Sequence, residues 1–323
     1  MVTISALAKI AAAAAAILMV AKAEEPRKLV VAYVPNWLED NAGFADSIEY
    51  DKLTHINIAF ENPDENGDLT FNPADEKLVK KAHENGVKIL ISIGGGSAAD
   101  DPVLKPRYFD LIGDAKRVGF TQKLADYVEK HDFDGLDVDL EGPSINDDYG
   151  KFIDDLSTAL KAKGKLLTAA LSQGYGGDKV PSGTFARFDF VNVMAYDGTG
   201  SWDKDNPGQH SSLDYAKSNV KFWTDRGLPK SKVVLGVPFY GYGFGDAYRN
   251  YGYDYKEILG LFPDAATKDQ VGSTIWYNGI PTMKAKAQWV RDEDLAGVMI
   301  WSLDADVKGD NSLLTALDKT LRP

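Results

Sequence analysis

The sequence predicts a closed (β/α)₈ barrel, in which eight parallel strands are surrounded by helices. Eight short runs rich in Val, Ile and Leu alternate along the chain with amphipathic, charged segments. The runs are too continuously apolar for an antiparallel sheet with one wet face, whereas parallel strands are buried on both faces. Strands that alternate with helices are typical of parallel βα units. The runs comprise residues 29–34, 56–60, 87–93, 135–141, 166–171, 188–195, 233–240 and 296–301.

Helices are predicted where apolar residues recur at helical spacing among charged ones. The helix-like segments comprise residues 75–85, 118–131, 145–163, 213–226, 281–291 and 312–321. The chain has 323 residues, is 44% hydrophobic and contains no Pro-, Gly- or Ser-rich linker. We therefore expect one barrel domain over residues 24–323. The stretch from Gly241 to Leu295 must contain a helix, so a large α+β insertion after strand seven is not expected.

Residues 1–23 have the pattern of a secretory signal peptide. Lys9 precedes a twelve-residue apolar run from Ile10 to Ala21, and the segment ends in the small-residue pattern Ala21-Lys22-Ala23. A run of this length is too short to span a bilayer. We expect cleavage before Glu24 and a mature protein that is secreted or periplasmic, without a membrane span. The alternative is an alanine-rich N-terminal helix, which would leave an apolar surface exposed.

Composition excludes several classes of function. The chain has no cysteine, which rules out a thiol nucleophile, a thiolate metal site and disulfides. Its 48 acidic residues outnumber its 36 basic ones and give a formal net charge of −12. Nucleic-acid binding usually requires a basic surface, so no nucleic-acid partner is expected. The four histidines are scattered, and we expect neither a metal nor a cofactor. The expected oligomeric state is a monomer.

The fourth run carries three acids on one face. Asp137, Asp139 and Glu141 alternate with apolar residues, and successive side chains of a strand point to opposite faces. Neighbouring Cα atoms on one face are roughly 6 to 7 Å apart. The three charges are therefore coupled, and burial beside like charges raises the pKa of a carboxyl group. Asp134 has the opposite parity and belongs to the entrance of the strand.

Aromatic and acidic residues concentrate at the ends of the runs. In a barrel of this kind the site lies at the C-terminal ends of the strands and in the loops after them. Tyr196, Asp197 and Trp301 occupy such positions, whereas no histidine cluster or phosphate-binding loop is found there. Two acids near one bond are the usual equipment for glycoside hydrolysis, where one of them protonates the leaving oxygen.

Four motifs together resemble the pattern of family 18 glycoside hydrolases, the chitinase family. They stand in the family's order at strands three, four, six and eight: Ser92-x-Gly94-Gly95, Asp134-x-x-Asp137-x-Asp139-x-Glu141, Met194-x-Tyr196-Asp197 and Trp301. The resemblance spans most of the chain after residue 23. It implies as partner an oligo- or polysaccharide that contains N-acetylglucosamine.

The resemblance implies a retaining mechanism in which the substrate supplies its own nucleophile. Glu141 is similar to the general acid/base that protonates the glycosidic oxygen. The 2-acetamido carbonyl of the sugar then attacks the anomeric carbon and gives an oxazolinium ion. Asp139 would orient the acetamide N–H and offset the positive charge, while Asp137 would share a proton with Asp139. Tyr196 would donate its hydroxyl to the acetamide oxygen.

The resemblance also implies binding and supporting residues. Trp301 is similar to the tryptophan that forms the floor of the sugar subsite, and Ser92 would hydrogen-bond toward Asp137. The expected substrate-binding residues are Trp301, Tyr33, Phe60, Met194 and Asp197. The expected supporting residues are Ser92, Asp134, Gly94 and Gly95. Trp37, Trp202, Trp276 and the tyrosines at 242, 248, 251, 253 and 255 fit either the cleft or ordinary packing.

Several alternatives remain open. An endo-β-N-acetylglucosaminidase acting on the chitobiose core of N-glycans would use the same acids. A non-catalytic chitinase-like lectin would keep the barrel, although such proteins typically lose the acid at the position of Glu141. A metal-dependent enzyme would use the acids of strand four as ligands for a hard cation. Without the large insertion we expect a shallow, open groove that favours endo-type cleavage, or binding of a branched glycan, over processive action on crystalline polymer.

Overall fold

The computed structural model describes residues 27–323, so the predicted signal peptide lies outside the described residues. The strands in chain order are β1 (Leu29–Pro35), β2 (His55–Ala59), β3 (Lys88–Gly94), β4 (Gly135–Asp139), β5 (Leu166–Leu171), β6 (Phe190–Val193), β7 (Val233–Pro238), β8 (Tyr240–Gly243), β9 (Tyr253–Asp254), β10 (Gln270–Val271), β11 (Ile275–Trp276) and β12 (Gly297–Trp301). Eight of them are parallel and close into a barrel in the order β1-β12-β7-β6-β5-β4-β3-β2, which confirms the predicted (β/α)₈ fold.

The described residues form ten helices, most of which pack around the outside of the barrel. They are α1 (Asn41–Ser47), α2 (Asp75–Glu84), α3 (Gly96–Asp100), α4 (Leu104–Ile112), α5 (Arg117–Lys130), α6 (Tyr149–Ala162), α7 (Leu213–Asp225), α8 (Tyr255–Leu261), α9 (Ile280–Asp292) and α10 (Leu313–Leu321). All six predicted helices are present, whereas the short helices α1, α3, α4 and α8 were not predicted. Within residues 27–323, no helix combines the length and the apolar character that a membrane span requires.

Two segments depart from a regular alternation of strand and helix. After β5 the chain forms only the 3₁₀ turns Gly177–Lys179 and Ser182–Ala186, in a stretch rich in glycine that also contains Pro181. Between β7 and β12 it forms a four-stranded antiparallel sheet in the order β10-β11-β8-β9, together with α8. This unit is a small insertion of strands and one short helix, and it occupies the place in the chain for which a large α+β insertion was not expected.

The barrel interior holds an apolar cluster, with the buried His55 against Phe190, and a polar layer nearer the C-terminal ends of the strands. Val31, Phe190, Val234 and Met299 pack together inside the barrel, and they are buried. Farther along the strands follow the buried polar side chains of Asn57, Ser92, Asp137, Thr168 and Asn192. The helix-facing residues of the same strands join the larger core between the sheet and the helices. A polar layer inside a closed barrel marks the end at which chemistry can take place.

Gly94 lets β3 approach β4 closely at that polar end. Its φ is +102°, and a Cβ atom there would lie 2.3 Å from the carbonyl oxygen of Asp139. The next amide, that of Gly95, donates a hydrogen bond to the same oxygen at 2.8 Å. The side chain of Asn62 brackets Gly94, since its Oδ1 accepts from Gly94 N at 2.9 Å and its Nδ2 donates to Gly94 O at 3.1 Å.

We expect Gly94→Ala to lower the free energy of unfolding by about 3 kcal/mol, because it combines an unfavourable φ with a clash against backbone. Chemical denaturation monitored by tryptophan fluorescence measures this change. Gly96→Ala is the matched control: a Cβ at Gly96 meets open space, so its effect should stay within about 0.5 kcal/mol. Equal effects of the two substitutions would contradict this explanation of Gly94.

Candidate active site

The three acids of the fourth strand face the interior and the cleft above it. Asp137 is completely buried inside the barrel, and Asp139 is 4% exposed. Glu141 follows the end of β4 with extended backbone angles, φ −123° and ψ 156°, so the alternation of the strand continues through it. The trio therefore points away from the layer of helices, as strand parity predicts.

Four donors from four other strands surround the carboxyl group of Asp137. Tyr33 Oη and Ser92 Oγ donate to its Oδ2 at 2.6 and 2.7 Å. Thr168 Oγ1 and Asn192 Nδ2 donate to its Oδ1 at 2.6 and 3.3 Å. Burial raises the pKa of Asp137, and these hydrogen bonds oppose the rise because they stabilise the ionised form. Ser92 and Thr168 are its register neighbours on β3 and β5.

Asp139 has a different environment. Its Oδ1 is buried and has no hydrogen-bond partner among the described residues. Burial raises the pKa of Asp139 well above its ordinary value, and the negative charges of Glu141 and Asp137 raise it further. Burial without donors therefore favours the protonated form of Asp139, whereas the donors around Asp137 favour its anion.

Glu141 lies in a cleft of about 700 Å³ above the barrel. Burial, followed by the charges of Asp197 and Asp100, raises its pKa to about 7. The hydroxyl of Ser144 donates to the Glu141 carbonyl at 2.6 Å and holds the turn that follows. The ring of Tyr175 occupies the space where a Cβ of Gly142 would lie. A carboxyl group with this pKa can carry a transferable proton near neutral pH.

Asp197 sits at the centre of a polar and aromatic cage. Its φ is +61°, which turns its side chain into the cleft directly after Tyr196. Its Oδ1 accepts hydrogen bonds from the hydroxyls of Tyr240 and Tyr242, the second at 3.0 Å. His210 Nδ1 lies 3.5 Å from the same oxygen, and the ring of His210 is completely buried against both tyrosines.

Stacked aromatic rings form one wall of the cleft. The rings of Trp301 and Phe60 are stacked with centroids 5.7 Å apart, and Trp37 continues the stack at 6.3 Å from Phe60. Tyr33 packs against Trp301 at 5.4 Å. Trp37 is 61% exposed, so most of its ring remains free to contact a ligand.

The cleft continues into a second section of about 810 Å³. Asp197 and Trp202 line both sections. Asp100, Tyr175, Met194 and Tyr196 line the section that holds Glu141. Trp37, Tyr240, Tyr242 and Trp301 line the other. The site is therefore a groove that extends to both sides of Asp197, with aromatic rings along its length.

The structure brings together all but one of the predicted site residues. The exception is Asp134, which lies at the opposite end of β4, where its Oδ2 accepts from Ile89 N at 2.8 Å and lies 3.0 Å from His83 Nε2. Asp134 supports the barrel there and does not reach the cleft. Gly94 and Gly95 act through the backbone, and Phe60 acts through the aromatic wall.

Sequence reasoning missed several residues of the site. Thr168 and Asn192 could have been found by extending strand parity from Asp137 to β5 and β6, since both occupy inward positions. Asp100, Tyr175 and His210 lie in loops or short helices, where no periodic pattern indicates direction. Among residues 27–323, no three His, Cys, Asp or Glu side chains form a group suited to a metal ion.

Comparison with known proteins places this barrel in one family. The sequence model of glycosyl hydrolases family 18 matches residues 29–306. The chain is 36% identical to a family 18 chitinase of Flavobacterium johnsoniae whose structure superposes with a TM-score of 0.83, covering 91% of this chain and 94% of that one. A chitinase of Bacteroides thetaiotaomicron is 29% identical with a TM-score of 0.78, and the coverage is 92% and 97%.

A curated relative points the same way. An endochitinase of Brugia malayi is 27% identical over 90% of this chain and 72% of its own length. The family match covers the barrel from β1 to the turn after β12, including every residue of the strand-four trio and the Asp197 cage. The chain belongs to glycosyl hydrolases family 18 and is a chitinase-like glycoside hydrolase.

Proposed function

We propose that this protein hydrolyses β-1,4 bonds of N-acetylglucosamine-containing glycans, with retention of configuration and with the substrate's acetamide group as nucleophile. The observation that carries the proposal is the contrast between two neighbouring carboxyl groups. Four protein donors bind Asp137, whereas Asp139 Oδ1 has no partner among the described residues. Buried polar groups are usually paired, so an unpaired one beside a cleft favours a ligand that brings a donor.

Glu141 is the proposed general acid and base. Its proton passes to the glycosidic oxygen while the acetamide carbonyl oxygen attacks C1, and the bond between C1 and the leaving oxygen breaks. The oxazolinium ion that results is then attacked at C1 by water, and the water's proton returns to Glu141. Because each of the two displacements inverts the configuration at C1, the product keeps the β configuration. In other glycosidases the distance between the two catalytic carboxyl groups distinguishes retaining from inverting enzymes. That distance does not decide the stereochemistry here, because the proposed nucleophile belongs to the substrate.

Asp139 and Asp137 are the proposed electrostatic partners of the intermediate. Asp139 accepts the acetamide N–H and offsets the positive charge of the oxazolinium ion. Its proton is shared with Asp137, whose four donors limit how far that proton can move. Fixed charges in a site with little water stabilise a developing cation more than bulk solvent does.

Tyr196 and the aromatic wall are proposed to position the sugar. Tyr196 donates to the acetamide oxygen, while Asp197, Met194 and Tyr33 shape the pocket around it. The indole of Trp301 forms the floor beneath the sugar, supported by its stack on Phe60. Aromatic faces suit the apolar face of a pyranose ring, and a hydrated metal would gain nothing from them.

Chitin or its oligosaccharides are the proposed substrates, and cleavage is proposed to be of the endo type. The groove runs to both sides of Asp197, so a chain can bind across it without presenting an end. The chitinases of Flavobacterium johnsoniae and Bacteroides thetaiotaomicron, and the endochitinase of Brugia malayi, support chitin. We also propose that residues 1–23 direct export and that residues 24–323 form one catalytic domain that acts as a monomer.

Glu141→Gln should lower kcat for chito-oligosaccharides by about 1000-fold, because glutamine cannot supply the proton. Dissociation constants measured by calorimetry should stay close to the wild-type values. Glu129→Gln is the control, because Glu129 is an exposed residue of α5 that pairs with Lys163. Turnover by the Glu141→Gln protein near the wild-type rate would remove Glu141 from the proposed role, and a wild-type protein that binds without turnover would be a lectin.

The value of kcat/KM should decrease as the pH rises through about 7. Glu141 must be protonated to act, and its pKa is raised to about 7. Asp100→Asn removes a negative charge that favours the protonated form of Glu141. The alkaline limb should therefore move to lower pH by roughly 0.5 unit, which is about a threefold loss of kcat/KM at pH 8. Asp101→Asn is the matched control, since Asp101 caps backbone amides and an asparagine can do the same. An unmoved limb in the Asp100 variant would contradict the assigned acid.

Substrate and stereochemistry should separate the remaining alternatives. We expect internal cleavage of chitohexaose, with the β anomer as the first product in NMR spectra, and no release of glycans from a high-mannose glycoprotein. Glycan release without chitohexaose cleavage would identify an endo-β-N-acetylglucosaminidase. An α anomer from the β-linked substrate would refute the retaining mechanism. Mainly disaccharide release from chain ends would refute endo action.

A further inference from the structure

A lysine is completely buried beneath the segment that carries Tyr196 and Asp197. Lys286 belongs to α9, and none of its side chain is exposed. Its Nζ donates to Ser211 Oγ at 2.6 Å and to Asn278 Oδ1 at 2.7 Å. Both partners are neutral, and burial lowers the pKa of Lys286 to about 7. The charge of Asp269 opposes this fall in pKa, but Asp269 does not hydrogen-bond to Lys286. Burying an amine whose hydrogen-bond partners are neutral is costly, so its presence calls for a structural reason.

The hydrogen bonds run in one direction from Lys286 toward the site. Ser211 Oγ donates to the carbonyl oxygen of Ala195 at 2.6 Å. A hydroxyl has a single hydrogen, so Ser211 must accept from Lys286 if it donates to Ala195. Ala195 lies beyond the end of β6, where its carbonyl no longer pairs with a neighbouring strand. The next two residues are Tyr196 and Asp197.

The same lysine also reaches the other side of the Asp197 cage. Asn278 follows β11, the strand that pairs with β8 and its residue Tyr242. Gln209 ties the two segments together, since its Nε2 donates to the carbonyl of Tyr277 and its Oε1 accepts from Ser211 N at 3.1 Å. One buried side chain therefore contacts both segments that meet at Asp197.

We propose that Lys286 is a positioning residue that acts through Ser211 and the Ala195 carbonyl to hold Tyr196 and Asp197 in the cleft. The proposal rests on the proposed function for its rate measurements. Lys286 touches neither the substrate nor the reacting atoms. Its role is to fix the chain at the point where β6 ends and Asp197 adopts its left-handed conformation.

The test uses three variants of the whole protein. Lys286→Met keeps an unbranched side chain that is one atom shorter and removes the donors. Ser211→Ala leaves Lys286 bonded to Asn278 and removes the hydroxyl that accepts from Lys286 and donates to Ala195. Val290→Ala is the control for destabilisation alone, because Val290 is a buried residue of the same helix. Thermal unfolding identifies a temperature at which all three variants remain folded.

At that temperature, Lys286→Met and Ser211→Ala should lower kcat for chito-oligosaccharides by about 30-fold, because misplaced catalytic groups cost rate. Val290→Ala should keep the wild-type kcat despite its lower stability. In a Tyr196→Phe background, which already lacks the tyrosine hydroxyl, the loss caused by Ser211→Ala should shrink to within about threefold. Wild-type kcat in folded Lys286→Met and Ser211→Ala, or an undiminished loss in the Tyr196→Phe background, would overturn the proposal.

A crystal structure of Ser211→Ala separates this proposal from the proposed function. Displacement of the Tyr196 hydroxyl by about 1 Å or more, the scale on which misplacement affects catalysis, supports the positioning role even if the wild type hydrolyses no chito-oligosaccharide. An unmoved Tyr196 and Asp197 would refute the positioning role whatever the wild type hydrolyses.

Discussion

The burial of the Asp137 carboxylate inside a closed barrel is the constraint on which the rest of the site depends. An ion in such a place is unfavourable unless donors replace the water that it loses. Tyr33, Ser92, Thr168 and Asn192 supply them from four different strands. The barrel must therefore close in one register for all four donors to meet one side chain. Any other register would leave the buried carboxyl group of Asp137 without these hydrogen bonds and would be less stable.

Along β4, the number of hydrogen bonds from the protein to each acid falls from the barrel interior toward the cleft. The carboxyl group deepest in the barrel, that of Asp137, accepts four hydrogen bonds. Asp139 has an oxygen without a partner in the described part of the chain, and Glu141 reaches the cleft. Three acids of the same chemical type thus acquire different environments from depth alone. Burial raises the pKa of all three, and a carboxyl group with a raised pKa is what acid catalysis of glycoside cleavage requires.

The loops around the trio are held by unusual local features. Gly94 permits backbone contact between two strands, and Asp197 adopts a left-handed conformation at the end of β6. The buried Lys286 lies beneath the turn at Asp197. Two tyrosine hydroxyls donate hydrogen bonds to the side chain of Asp197. Such features are costly alone and persist where surrounding structure supports them. They concentrate at one end of the barrel, which leaves the opposite end, with Asp134, to stabilise the fold.

The sequence alone determined the barrel, its strands and six of its helices, because buried parallel strands and amphipathic helices leave a periodic trace. Strand parity also determined that Asp137, Asp139 and Glu141 share a face, and the spacing of motifs indicated the family. Only the tertiary structure decided which groups meet them. Asp100, Tyr175 and His210 reach the site from loops and short helices, and Lys286 reaches the segment beneath it from an outer helix. Contacts between segments far apart in the chain depend on how the loops fold back, and local periodicity carries no record of that.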